Sequence, residues 1–246
     1  MSRYLVLGAG SAIARAMAME WALRESASVI LAGRNLPEME RLAADIHIRY
    51  DVSTSALAFD ALDYAGHAAF WQRCLETGDA VDGVILAVGS NPDQEEAEQD
   101  TGVTRQAVEV NFTACASILH TVAPYFEQRR RGTLVVLASV AGDRGRKSNY
   151  VYGSAKAGLA VFTEGLRMRL AGSGVRVITV KPGFVDTRMT FERGKLPLVA
   201  SPQSVAQAVY GAVQRGRNTI YVPWFWALIM MMIRALPERI MSKMNF

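Results

Sequence analysis

Sulfur chemistry is nearly absent from this chain: of its 246 residues only Cys74 and Cys115 are cysteine. Two thiols so far apart give no disulfide framework and fit reduced thiols in a cytosolic protein. Histidine is as scarce. His47, His67 and His120 share no metal-ligand spacing, so no metal site is expected and each reads as a surface or packing residue. Neither sign of charge dominates: 27 Lys and Arg against 23 Asp and Glu leave +4, too little to imply a nucleic-acid partner. No secretory signal stands at the start, where Met1 leads into a short apolar run and a glycine turn, so a cytoplasmic location is expected. Long hydrophobic runs are missing too. The longest, Val222 to Ile233, has 12 residues, too few to span a bilayer but enough to lie on one. Repeats and low-complexity tracts are absent.

What the chain does contain is ample apolar material, 50% of residues, arranged as strands alternating with helices. Predicted strands are Tyr4–Leu7, Val29–Ala32, Ser55–Phe59, Val81–Val88, Leu134–Ala138, Val175–Lys181 and Thr219–Val222. Between them fall helical patterns up to about Arg24, then over Pro37–Ile46, Ala68–Thr77, about Val103–Arg130, the stretch after Tyr150, and Ser201–Gln214. The acidic stretch Asn91–Asp100 reads as a solvated loop. This alternation calls for one α/β domain over residues 1–222, a parallel sheet with helices on both faces. Residues 223–246 read as an apolar helical tail rather than an independent domain.

The opening strand, Gly turn, helix and strand have the order of a dinucleotide-binding unit, in which backbone N–H groups approach a pyrophosphate at a helix N-terminus. Gly8, Gly10 and Ser11 form that turn, while Ala12 and Ala14 stand where further glycines are expected. After the second strand there is no acid to take an adenine-ribose hydroxyl. Arg34 stands there instead, and its fork suits a 2′-phosphate, so NADP(H) is expected ahead of NAD(H), with NAD(H) still usable. Asp60, at the end of the third strand, is placed to accept from an adenine amino group, and Asp63 is the better helix cap. Gly89 closes the fourth strand and lets a cofactor lie against backbone.

Tyr152 and Lys156 are four residues apart in Y-V-Y-G-S-A-K, so they share one helical face. An ammonium held beside a phenol favours the phenolate and makes the pair a usable acid/base for a reacting oxygen. Spacing alone equally describes an exposed lysine beside a half-buried tyrosine. The neighbouring motifs decide. Ser139 lies thirteen residues upstream of Tyr152 in A-S-V-A-G, Asn111 lies in V-N-F, and Pro182-Gly183-Phe184-Val185-Asp186-Thr187 reads P-G-x-V-x-T.

With these motifs in order, the chain resembles the short-chain dehydrogenase/reductase family over residues 3 to 222. The resemblance implies a single Rossmann-type doubly wound sheet of about seven strands, in the order 3-2-1-4-5-6-7. It implies an NAD(P)-dependent enzyme that interconverts a carbonyl and a secondary alcohol, with Tyr152 as the acid/base and Ser139 orienting the oxygen. Lys156 would hold the nicotinamide ribose, and Asn111 would anchor a water leading from Lys156 to solvent. The cofactor would meet Ile13, Ala61 and Ala87 in addition to the residues above, and Pro182, Gly183, Val185 and Thr187 at its nicotinamide end. Assembly as a homodimer or homotetramer is expected. Two motifs depart from the family pattern. The turn T-G-x-x-x-G-x-G is L-G-A-G-S-A-I-A here, and N-N-A-G is Leu86-Ala87-Val88-Gly89. A 3-ketoacyl or steroid-type reductase, or a silent NADP-binding sensor or scaffold, are the competing readings.

Substrate choice is expected to lie in Arg188–Ala200, where Met189, Phe191, Leu196 and Leu198 alternate with Arg188, Arg193 and Lys195. The tail is the most unusual feature. Trp224-Phe225-Trp226 leads an apolar helix followed by Arg234, Arg239 and Lys243. This fits either a peripheral membrane contact through residues 224–236, at the inner face of the membrane, or a helix packed into the core or a dimer. With its reduced glycine turn, such a tail is similar to the branch of the family containing the ketoreductase component of the decaprenylphosphoryl-ribose 2-epimerase system. That likeness implies a lipid-linked or otherwise amphipathic carbonyl substrate.

Overall fold

A computed structural model describes residues 1–187 and 198–243. In chain order the elements are β1 Arg3–Leu7, α1 Ala12–Glu25, β2 Ser28–Gly33, α2 Leu36–Tyr50, β3 Thr54–Ala58, α3 His67–Glu76 and β4 Gly83–Leu86. Next come α4 Gln94–Gln99, α5 Thr101–Val108, a π-helical turn Glu109–Thr113, α6 Ala114–Arg129 and β5 Gly132–Leu137. A 3₁₀ turn Val140–Asp143 precedes α7 Tyr150–Leu170 and β6 Val175–Pro182. The chain ends with α8 Pro202–Gln214, β7 Thr219–Val222, α9 Trp226–Ala235 and α10 Glu238–Met241.

The strands form one seven-stranded sheet in the order β3-β2-β1-β4-β5-β6-β7, every neighbouring pair parallel. Successive side chains of a strand point to opposite faces. Tyr4, Val6, Val29 and Leu31 therefore join the core that α1, α2 and α8 cover. Leu5, Leu7, Ile30 and Ala32 join the one beneath α3, α6 and α7. Burial on both faces explains why the strands read as continuous apolar runs.

Two expectations needed correcting. The acidic stretch expected as a solvated loop contains α4. Asp93 caps it, its carboxylate accepting from Glu95 N at 2.9 Å and Glu96 N at 3.1 Å, and Ala97 is buried beneath it. Glu95 and Glu96 in its first turn also suit the positive end of the helix. The single long helix expected from Val103 to Arg130 is interrupted by the π turn at Asn111. The cause is local: Asn111 Nδ2 donates at 2.8 Å to the Ala107 carbonyl, the oxygen its own backbone amide would use in an α-helix.

Candidate functional site

The strand order reverses between β1 and β4, and a cleft opens where the two carboxyl ends diverge. It has a volume of about 1280 Å³ and runs from Gly8, Gly10 and Ser11 past Arg34 and Asp60 to Ala87, Gly89 and Ser90. Gly8 has φ +77°, and a Cβ there would stand 2.9 Å from the Ala87 carbonyl oxygen, so only glycine fits. Ser11 caps α1 by accepting from Ala14 N at 3.3 Å. Ala12 and Ile13 begin α1, so their amides are first-turn donors that no helix satisfies internally. These features fit a dinucleotide pyrophosphate. Ala14 is fully buried in the core, which a methyl group permits and a glycine would leave less filled.

At the end of the cleft expected to take the adenosine, Arg34 is exposed and shares the lining with Asp60 and Ala61. One Asp60 oxygen already accepts from Leu62 N at 3.0 Å. Asp63 accepts from Gly66 N at 3.0 Å in the turn ahead of α3, but Gly66 is the cap residue and no side chain caps that helix, so the capping reading of Asp63 is corrected to a turn contact. Sequence reasoning missed Glu38 and Met39. Glu38 pairs with Arg15 at 3.2 Å, and a Cβ on Gly10 would lie 3.8 Å from either of its carboxylate oxygens. A carboxylate thus stands near the glycine turn, paired with a cation. Met39 packs against both that turn and the end of β2, its methyl 3.7 Å from where a Gly10 Cβ would be and its sulfur 3.0 Å from where a Gly33 Cβ would be. The helical spacing after Pro37 held the only signal for either residue.

The catalytic candidates converge at the carboxyl ends of β4, β5 and β6. Ser139 follows β5, and its Oγ accepts from Ala141 N at 3.1 Å. The 3₁₀ turn after it is pressed against α7. A Cβ on Gly142 would meet Ala157 N at 2.7 Å, and one on Gly153 would meet the Ala141 carbonyl oxygen at 2.8 Å. These two glycines, also missed from sequence, let the Ser139 turn approach the Tyr152 helix backbone to backbone. Lys156 is buried, and its Nζ donates to Leu137 O at 3.1 Å and Val88 O at 3.3 Å. It lies 6.0 Å from the centre of the Tyr152 ring.

Asn111 is fully buried and not on the cleft surface. Its Nδ2 donates to Ser90 O at 2.7 Å and to Ala107 O, while Oδ1 accepts from Ser90 N at 3.1 Å. With both amide hydrogens engaged, the side chain's evident work is to hold the Gly89–Ser90 backbone, and a water could use only the remaining Oδ1 lone pair.

Pro182 ends β6 beside the Ser139 strand, and Gly183 N donates to Val222 O at 2.9 Å. The Trp226 indole of α9 occupies the space a Gly183 side chain would need. Val185 bridges to Ala200. Pro182, Gly183, Val185 and Thr187 therefore stand beyond the dinucleotide cleft, on the Ser139 side. Most of the expected specificity segment, residues 188–197, lies outside the described residues. A further group was not anticipated. Asp143 in the turn after Ser139 binds Lys181 Nζ at 2.5 Å and the Tyr221 hydroxyl at 2.6 Å. Burial, then the Asp143 hydrogen bond, pushes the Tyr221 phenol well above its ordinary value. The tail packs next to this group, with Trp226 and Met230 buried against Val140 and flanked by Phe184 and Tyr221. Among the described residues no helix is long and apolar enough to cross a membrane.

Residues 3–196 match the family model described as short chain dehydrogenase. An uncharacterised oxidoreductase of Mycobacterium tuberculosis is 35% identical over 222 residues, covering 90% of this chain and 89% of that protein. One of Streptomyces coelicolor is 35% identical over 240 residues, covering 98% and 94%. The fold is shared with a short-chain dehydrogenase from Sphingobium yanoikuyae in complex with NADPH. The TM-score is 0.81 at 24% identity, covering all of this chain and 97% of the other.

Proposed function

The chain belongs to the short-chain dehydrogenase family of NAD(P)-dependent oxidoreductases, and from that membership we propose that it is an NADP(H)-dependent reductase that converts a ketone to a secondary alcohol through Tyr152. The observation that carries the reading is the placement of Lys156. Its ammonium is buried, held by the Leu137 and Val88 carbonyls, and 6.0 Å from the Tyr152 ring. An ammonium has three donors, so this arrangement leaves one for a ribose hydroxyl or the phenol.

A nicotinamide cofactor, when bound, supplies the hydride. Tyr152 gives its proton to the carbonyl oxygen; its hydroxyl makes no hydrogen bond to a described residue. Ser139 Oγ uses a lone pair on Ala141 N, which leaves its own hydrogen for the same oxygen. Lys156 holds positive charge beside the developing phenolate. Asn111 keeps Gly89 and Ser90 in place against the ammonium. Arg34 at the adenosine end supports the NADP(H) preference.

The substrate class we propose is an amphipathic carbonyl compound, a lipid-linked keto sugar being one form. Support comes from the apolar wall that Phe184, Phe225 and Trp226 raise beside the Pro182–Gly183 segment. The test is a panel of ketones followed by NADPH absorbance, with short polar, acyl, steroid and lipid-linked members. Turnover rising with the length of the apolar part is expected. No oxidation with any class would sink the reductase reading, and best turnover with short polar ketones would sink the amphipathic one.

A further inference from the structure

The tail helix is apolar on two sides, and only one of them is packed. From Val222 to Ile233 the chain carries no charge. Trp226 and Met230, one helical turn apart, are buried against Val140, with Phe225, Ile229 and Ile233 partly buried beside them. On the remaining side Trp224 is 72% exposed, Leu228 49%, Met231 62% and Met232 60%. Spacings of i, i+4, i+7 and i+8 make these four a continuous stripe along one face of α9 and its entry. Such a stripe calls for a covering surface.

We propose that this stripe docks on an anionic lipid surface, with α9 lying in the interface plane. Length excludes a crossing: α9 has ten residues, about 15 Å of helix against a hydrocarbon core of about 30 Å. Its composition suits the interface. An indole leads the stripe, and flexible methionines fill it. The charge around it selects the occupant. Arg144 donates to the Leu236 carbonyl at 3.3 Å, which ties the loop after Ser139 to the end of α9. Among the described residues of that loop and the tail, Lys147, Arg234, Arg239 and Lys243 are exposed, against one exposed carboxylate, Glu238. Asp143, the loop's acid, is already paired with Lys181. A second copy packed symmetrically on the stripe would bring two such cationic rims together, whereas anionic headgroups attract them. Because the docked helix touches Val140 and Gly183 on its other side, the lipid surface would lie beside the substrate end of the cleft. That last consequence rests on the reductase reading; the docking itself does not.

Flotation of the full chain tests it, using vesicles of phosphatidylcholine alone and of phosphatidylcholine mixed with phosphatidylglycerol. The protein is expected to float with the mixed vesicles and to be released by salt. Replacing the stripe (Trp224→Ser, Leu228→Ser, Met231→Gln and Met232→Gln together) should cut binding by about tenfold or more at unchanged melting temperature. Arg239→Glu or Lys243→Glu should each weaken it by about fivefold or more. The proposal fails if the unaltered chain does not float, or if the stripe variant floats equally well. It also fails if neither floats and the unaltered chain alone is larger by size exclusion, since a second copy then covers the stripe. No arm measures turnover, so failure of the reductase reading leaves the result interpretable.

Discussion

Gly89 lies wall to wall with Lys156: a Cβ on Gly89 would stand 3.1 Å from the ammonium nitrogen and 2.9 Å from Asn111 Oδ1. Gly89, three residues past β4, is therefore part of the seat of Lys156, the lysine of the proposed mechanism. Gly89→Ala is expected to lower stability by about 1–3 kcal/mol through overpacking and to reduce kcat about tenfold or more as Lys156 is displaced. Urea denaturation with steady-state kinetics checks both. Unchanged kcat would mean that the ammonium can yield without consequence.

Tyr152→Phe removes the hydroxyl proposed as proton donor and leaves the cleft lining unchanged. Turnover should fall by about 10²–10⁴-fold. NADPH affinity, read from cofactor fluorescence, should stay within a few-fold. Activity close to that of the unaltered chain would remove Tyr152 from the mechanism.

Arg34→Ala tests cofactor choice. Loss of a charge-assisted contact should lower kcat/KM with NADPH about tenfold to a hundredfold and leave NADH nearly unaffected. Equal losses with both cofactors would place Arg34 away from the 2′-phosphate. Glu38, already paired with Arg15, makes this comparison more informative than Arg34's exposure alone suggests.

Lys181 and Asp143 form a pair whose carboxylate side chain is only 3% exposed. Lys181→Met leaves that carboxylate without its cation and should cost about 3–5 kcal/mol. Tyr221→Phe removes one hydrogen bond and should cost about 1–3 kcal/mol. Denaturant midpoints rank the two. A milder effect for Lys181→Met than for Tyr221→Phe would show that the phenol, and not the ammonium, holds Asp143.

Alkaline pH should weaken the fold. Burial raises the Tyr4 phenol and the Cys74 thiol each to about 12. These groups ionise at about 10 and about 8.5 in an unfolded chain. Their contribution is complete below those values. As pH rises the unfolded chain loses protons that the folded one retains, so stability declines until the folded groups titrate near 12. Urea midpoints measured from neutral to alkaline pH should fall, and Cys74→Ala should reduce the leg that begins at about pH 8.5, which the buried Cys115 thiol, also raised by burial, shares. A flat profile would contradict the burial of both groups.

Much of this protein was legible in its residue order. Apolar runs bounded by glycine set the strands, because a strand buried on both faces admits no polar alternation. The order of strands and helices predicted the parallel sheet. Family resemblance, carried by Ser139, Tyr152, Lys156 and the Pro182–Thr187 segment, supplied the strand order.

Contacts between segments distant in sequence could not be read so directly. Asp143, Lys181 and Tyr221 carry no spacing signal, and meet only because β6 and β7 lie side by side next to the Ser139 turn. Gly142 and Gly153 looked like ordinary small residues until the turn and α7 were seen to touch. The tail is the clearest case. Its residue pattern suited either a packed helix or an interfacial one, since a helix apolar all round has no preferred side. Folding assigns Trp226 and Met230 to the protein and leaves Trp224, Leu228, Met231 and Met232 outside. That division is set by the shape of the sheet end it packs against, which no local pattern encodes.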